Sequence, residues 1–116
     1  MLFKEVEVKK DLRISELNDL YGELLTERQR EIIQSYYDFD LSLAEISENY
    51  GITRQAVRDA IVKGEQQLEV YEKTLRLLAR KYETLQFITS LKYSVEKGDL
   101  SAIAKILSDF ERDIQE

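Results

Sequence analysis

The stretch Ser42–Ile61, SLAEISENYGITRQAVRDAI, decides the fold. Ser42 followed three residues later by Glu45 is a capping-box pattern, in which side chain and backbone satisfy each other at a helix start. Leu43, Ile46 and Tyr50 then fall on one face, and the small Ala44 and Ser47 let a neighbouring helix approach. Gly51 stands where a helix closes in the left-handed conformation that glycine adopts without steric cost. Thr53 caps a second helix, which turns Ala56, Val57 and Ile61 inward. A short helix, a glycine turn and a second helix make a helix-turn-helix. In that geometry the first turns of the second helix can enter a nucleic-acid groove. Its outward face offers Arg54, Gln55, Arg58, Asp59 and Val62, with Lys63 one position further on.

Upstream, Thr26 and Gln29 repeat the capping-box spacing, and Ile32, Ile33, Tyr36 and Tyr37 follow on a helix. The segment YDFDLS at 37–42 breaks that helix. Before it, Leu12, Leu17, Leu20, Tyr21 and Leu24 recur at mostly helical spacing, which predicts a helix over about 11–24. Downstream, Val57, Ile61, Gly64, Leu68, Tyr71, Leu75, Leu78, Tyr82 and Leu85 alternate steps of four and three, a heptad-like seam. With no proline to interrupt it, this predicts one helix from Thr53 to about Arg80, roughly 40 Å long at 1.5 Å per residue. Gly64 on the seam either permits a close approach or a bend, or is simply tolerated. Two further amphipathic segments follow. The first carries Leu85, Ile88, Leu91 and Val95 and ends at Lys97 and Gly98. The second carries Ile103, Ile106, Leu107, Phe110 and Ile114, with Asp99 or Ser101 as its cap.

The fold class expected is therefore all-α. A helix-turn-helix core of three or four helices with a long fourth helix occupies 11–82, and a C-terminal helical extension occupies 83–116. The seam at Leu68, Tyr71, Leu75, Leu78, Tyr82 and Leu85 exceeds what one small core can bury, so a homodimer is expected, with the extension packing on the core or on the second copy.

Composition narrows the chemistry. The 116 residues contain no Pro, Cys, His or Trp, and 34% are charged with a formal net charge of −6. Without Cys there are no disulfides or thiolate metal sites. Without His the commonest general base and transition-metal ligand is missing. The four glycines are scattered, so no phosphate-cradling loop is present. Asp38 and Asp40 lack the regular alternation and glycine of a calcium loop, and read as turn formers. Glu45 and Glu48 read as capping and solvated residues. The expectation is a non-enzyme with no metal or cofactor. No stretch approaches the roughly 20 apolar residues of a membrane span, and none has signal-peptide character, so a cytoplasmic protein is expected.

Nucleic-acid binding is the sharper idea. Arg and Gln are the side chains that grip guanine, adenine and phosphate. Yet from Thr26 to Lys63 the cations Arg28, Arg30, Arg54, Arg58 and Lys63 face Glu27, Glu31, Asp38, Asp40, Glu45, Glu48 and Asp59, a net of −2. DNA binders usually present a dense basic face, because phosphate neutralisation supplies most non-specific affinity. Asp59 also precedes Lys63 by four, the favourable orientation for an intrahelical pair. A second basic group, Lys73, Arg76 and Arg80, shares one helical stripe on the flank of the apolar seam. It would meet RNA phosphates, or pair with Glu69 and Glu72 on the same helix.

The segment LLTERQREIIQSYYDFDLSLAEISENYGITRQAVRDAIVKGEQQLEVYEKTL, residues 24–75, resembles the YlxM-like family of bacterial helix-turn-helix proteins, and the resemblance covers about Asn18 to Leu75. The matching positions include Thr26, Gln29, Tyr36, Tyr37, the run Ser42 to Ile46, the run Arg54 to Val57, Asp59, Ile61, Glu65, Leu68, Tyr71, Glu72 and Leu75. That family is in turn similar to the fourth region of primary-type sigma factors, which reads the −35 promoter element. The chain differs from the family's pattern in the reading helix, at Arg58, Ala60 and the stretch Val62 to Gly64. The resemblance implies an all-helical fold, no catalytic residues, and a role near the GTPase and small RNA of the signal recognition particle. The expected function is an adaptor modulating that particle through protein and RNA contacts. Arg54, Gln55, Arg58 and Lys63 would face the partner, with Lys73, Arg76 and Arg80 as a secondary patch. The alternative is a transcription regulator that binds DNA as a dimer through the helix at Thr53–Lys63.

Overall fold

A computed structural model describes residues 2–116, with side chains from Leu12 onward. Among them lie six α-helices and one 3-10 turn, and no strand. They are α1 (Leu2–Tyr21), the 3-10 turn (Gly22–Leu24), α2 (Glu27–Tyr37), α3 (Leu43–Tyr50), α4 (Arg54–Leu75), α5 (Leu77–Lys97) and α6 (Leu100–Gln115). The all-α expectation holds. The first helix begins well before Asp11 and gives way to the 3-10 turn after Tyr21, where the spacing predicted α-helix to Leu24.

The chain divides into two compact units, one ending at Leu78 and one running from Ala79 to Glu116. The sequence reading drew this line between Tyr82 and Glu83.

In the first unit, α2 is the shared wall of two apolar clusters. Ile32 and Ile33 are neighbours on a helix and so point about 100° apart. Ile32 packs with Ile46, Val57 and Ile61, joined by Tyr36, Leu43, Tyr50 and Ile52. Ile33 packs with Ile14, Leu17 and Tyr21 of α1, Leu25, Leu68 of α4 and Leu78. Each large apolar side chain so buried contributes on the order of 1.5–3 kcal/mol. The first cluster holds the helix-turn-helix together, and the second clamps α1 across it. Gly64 lies where α4 crosses α2: a Cβ there would stand 2.4 Å from Ile33 Cδ1. The glycine is therefore a close-approach position.

The start signals read from the sequence are realised atom by atom. Thr26 and Ser42 both form complete capping boxes, with Gln29 and Glu45. Thr53 Oγ1 accepts from the Ala56 N–H at 3.0 Å. Asp99, rather than Ser101, caps α6 by accepting from the Ala102 N–H at 3.0 Å.

The single long helix is not found. α4 stops at Leu75, and Arg76 takes the left-handed conformation at φ 56°. A non-glycine residue costs about 1–2 kcal/mol there, so something must hold it. Glu72 does so from inside the core. Its Oε1 accepts from the Tyr21 hydroxyl at 2.6 Å and from the Leu78 N–H at 3.0 Å. The Leu77 N–H donates in turn to the Tyr21 hydroxyl oxygen at 2.9 Å. The first N–H groups of α5, orphans at any helix start, thus find buried partners. The carboxylate also sits where the helix dipole favours negative charge.

This break divides the predicted seam. Leu68 and Leu78 are buried in the first unit and Tyr71 packs beside them, whereas Leu75, Tyr82 and Leu85 are exposed. In the second unit, α5 and α6 are joined by Gly98 at φ 68°. Phe87 and Phe110 stack with ring centroids 4.1 Å apart. Ser94 is the one buried side chain there among the described residues, and α6 buries none.

Candidate nucleic-acid and partner interface

The helix-turn-helix positions its outward face through the turn Gly51–Thr53. Gly51 sits at φ 65°, closing α3 with its N–H on the Ser47 carbonyl. Thr53 then starts α4, so that Arg54, Gln55, Arg58, Asp59, Val62 and Lys63 all stand exposed on its first turns. Behind them Val57 and Ile61 are buried, which fixes the helix rotation. The structure therefore brings Arg54, Gln55, Arg58 and Lys63 onto one helix segment.

Their electrostatics are mixed. Gln55 Nε2 donates to Asp59 Oδ1 at 2.8 Å. The Asp59 carboxylate is thus held by Gln55, one turn back, instead of by the expected Lys63. This ties up the one amide on the face that is suited to reading adenine. Glu45 and Glu48 lie exposed on α3, and the Glu45 carboxyl is held below the usual carboxylate range by the Ser42 backbone N–H.

Arg28, outside the face grouped from the sequence, stands beside the helix-turn-helix. Its guanidinium lies over the Tyr50 ring, 5.7 Å from the centroid. Tyr50 is the last residue of α3 and donates its hydroxyl to Glu31 Oε1 at 3.1 Å, so α2 places a cation beside the helix that leads into the turn. Burial, with Glu31 second, pushes the Tyr50 hydroxyl above the ordinary tyrosine range. No periodicity links positions 28 and 50, so this pairing is visible only in three dimensions.

The secondary patch is not assembled on one stripe. Lys73 lies in the last turn of α4, Arg76 forms the left-handed joint, and Arg80 belongs to α5 in the second unit. Both carboxylates weighed as partners of this patch carry bonds from other elements. Arg13 of α1 grips Glu69 with two bonds, at 2.8 and 2.6 Å. Glu72 accepts from Tyr21 and Leu78.

Among the described residues no group of three or more His, Cys, Asp or Glu side chains could hold a metal ion. No helix there is long and apolar enough to cross a membrane.

A family model described as "Putative helix-turn-helix protein, YlxM / p13 like" matches residues 8–108. A UPF0122 protein of Symbiobacterium thermophilum is 43% identical over 96 residues, covering 83% of this chain and 90% of the relative. A UPF0122 protein of Clostridium botulinum is 44% identical over 94 residues, covering 76% and 86%. One from Halalkalibacterium halodurans is 44% identical over 88 residues, covering 76% and 81%.

Proposed function

The chain belongs to the UPF0122 family of YlxM/p13-like helix-turn-helix proteins, and from that membership we propose that it is a non-catalytic adaptor of the signal recognition particle pathway. It works in the cytoplasm as a homodimer and modulates the particle through contacts to its protein and its RNA. The observation that carries this reading is the exposed first turns of α4, with Arg54, Gln55 and Arg58, on a helix-turn-helix segment, Thr26–Lys63, whose net charge is −2. Such a unit repels bare phosphate overall, so a protein partner must supply much of the grip. Arg54, Gln55, Arg58 and Lys63 meet the partner, Arg28 and Tyr50 extend that face, and Lys73, Arg76 and Arg80 add cations elsewhere.

Retention of the purified chain on the particle's GTPase, with and without its RNA, tests this. Binding at low salt that falls when Arg54 and Arg58 become Ala supports the adaptor. Absence of retention in both arms refutes it.

A second reading is a sigma region 4-like transcription regulator binding duplex DNA as a dimer. The exposed Arg54, Gln55 and Arg58 on the first turns of α4 favour it. Micromolar binding of random duplex at low salt, with a steep loss as salt rises, would support it over the adaptor.

A further inference from the structure

We infer that the hairpin of α5 and α6 is the surface on which two copies of this chain pair, each hairpin completing a four-helix bundle with the other. This rests on the homodimer reading above and names its interface, away from the heptad seam of α4. Two helices alone cannot cover each other's apolar faces, and units below about 40 residues usually need a partner or a covalent staple. The second unit spans Ala79–Glu116, and Ser94 is its one buried side chain. Its apolar content is nevertheless high. Leu100, Leu107 and Ile114 repeat every seven residues along α6 and are 79%, 47% and 68% exposed. Leu85, Ile88 and Val95 form the matching exposed stripe on α5.

The two stripes face the same way. On α5 they lie clockwise of the inward-facing Phe87 and Leu91, seen from its N-terminal end. From that same viewpoint the antiparallel α6 winds the other way, and its stripe lies counterclockwise of Ile106 and Phe110. Both rotations end on one side of the hairpin, giving a single apolar face.

Charge says what covers that face. From Ala79 to Lys97, Arg80, Lys81, Lys92 and Lys97 stand against Glu83 and Glu96, a net of +2. From Asp99 to Glu116, Lys105 and Arg112 stand against Asp99, Asp109, Glu111, Asp113 and Glu116, a net of −3. Helical spacing sets Lys81 and Lys92 within the stripe on α5, between its apolar residues, and Glu111 at the border of the stripe on α6. A basic helix and an acidic helix side by side form a self-complementary patch. Under two-fold symmetry each α5 meets the other copy's α6, as an isologous interface requires.

Light scattering on the full chain tests the assignment. The native chain is expected at twice 13.7 kDa at micromolar concentration. Leu107→Glu with Ile114→Glu, at positions already exposed in the single chain, should weaken self-association more than about 100-fold. Val70→Glu, an equally exposed position on α4, should leave it unchanged. Lys92→Glu should weaken pairing, and adding Glu111→Lys should restore it. A native chain of 13.7 kDa overturns both the dimer and its interface. A double glutamate variant that stays dimeric, or a charge swap that fails to restore pairing, overturns the interface while the dimer stands.

Discussion

The Tyr21 hydroxyl donates to the buried Glu72 Oε1 at 2.6 Å. This bond joins α1 to the end of α4 and, through the Leu77 and Leu78 N–H groups, sets where α5 begins. One polar contact thus decides that the seam is two helices rather than one. Removing the hydroxyl with Tyr21→Phe leaves a buried carboxylate short of a donor, which costs about 1–3 kcal/mol. Urea titration followed by far-ultraviolet circular dichroism should show a lower midpoint of that size. An unchanged midpoint would mean that Glu72 is solvated in the folded chain.

The same bond sets an alkaline limit. Burial first, and the bond to Glu72 second, raise the Tyr21 hydroxyl above its ordinary value of 10.0. A raised value in the folded state means that the stability tied to the protonated hydroxyl is complete below pH 10. It is lost as pH rises from there through the folded value. Absorbance titration of the chain should therefore show a late fraction, above the ordinary tyrosine range, to which Tyr21 and Tyr50 contribute. Tyr21→Phe should remove part of that late fraction.

Gly64 tests the packing of α4 on α2. Alanine there adds a methyl 2.4 Å from Ile33 Cδ1, and Ile33 is fully buried with little room to retreat. Overpacking of about 1–3 kcal/mol outweighs the roughly 1 kcal/mol that alanine gains in helix propensity. Gly64→Ala should destabilise, and Ile33→Val, which deletes the clashing methyl, should recover part of the loss. Additive costs in the double variant would show that the two sites do not touch.

Asp59 tests the electrostatics of the reading helix. Its carboxylate stands exposed on the first turns of α4 and accepts from Gln55. Asp59→Asn removes one negative charge among Arg54, Arg58 and Lys63. It should raise affinity for the particle's RNA by roughly 3–10-fold at low salt, with a smaller gain at high salt. A fall in affinity, measured by fluorescence anisotropy, would give Asp59 a direct role in recognition.

The Arg13–Glu69 ion pair ties α1 to α4 from outside. The guanidinium holds the Glu69 carboxyl below the usual carboxylate range, chiefly through its hydrogen bond. Both side chains are about half exposed, so solvent screens the pair to under about 1 kcal/mol. With the folded value lowered, this small contribution is present above the unfolded carboxylate value and fades as pH falls through the folded one. Thermal melts of Glu69→Gln should sit slightly below the parent at neutral pH and converge with it in acid.

What the sequence revealed and what it hid divide along physical lines. Caps are local: Ser42 with Glu45, Thr26 with Gln29, and Gly51 each act within one turn, and each was legible. The inward faces of α3 and α4 were legible too, because helical period alone places Ile46, Val57 and Ile61 together. The break at Arg76 was not, since no glycine or proline marks it and Leu78 continues the heptad step. It depends on Tyr21, far away in the chain. Site legibility follows the same rule. Arg54, Gln55, Arg58 and Lys63 share a helix and could be grouped by spacing, whereas Arg28 reaches Tyr50 only through folding. Lys73, Arg76 and Arg80 were grouped on a stripe that the break at Arg76 divides.

On the adaptor reading, a reading helix on an acidic segment needs a protein to help hold nucleic acid. Fluorescence anisotropy of labelled particle RNA at physiological salt, titrated with the full chain in the presence and absence of the particle's GTPase, measures this directly. Weak binding to RNA alone is expected, with strong binding once the GTPase is present and loss of that gain when Arg54 and Arg58 become Ala. Tight, sequence-selective capture of bare duplex DNA by the chain under the same conditions, with no gain from the GTPase, would contradict the adaptor reading.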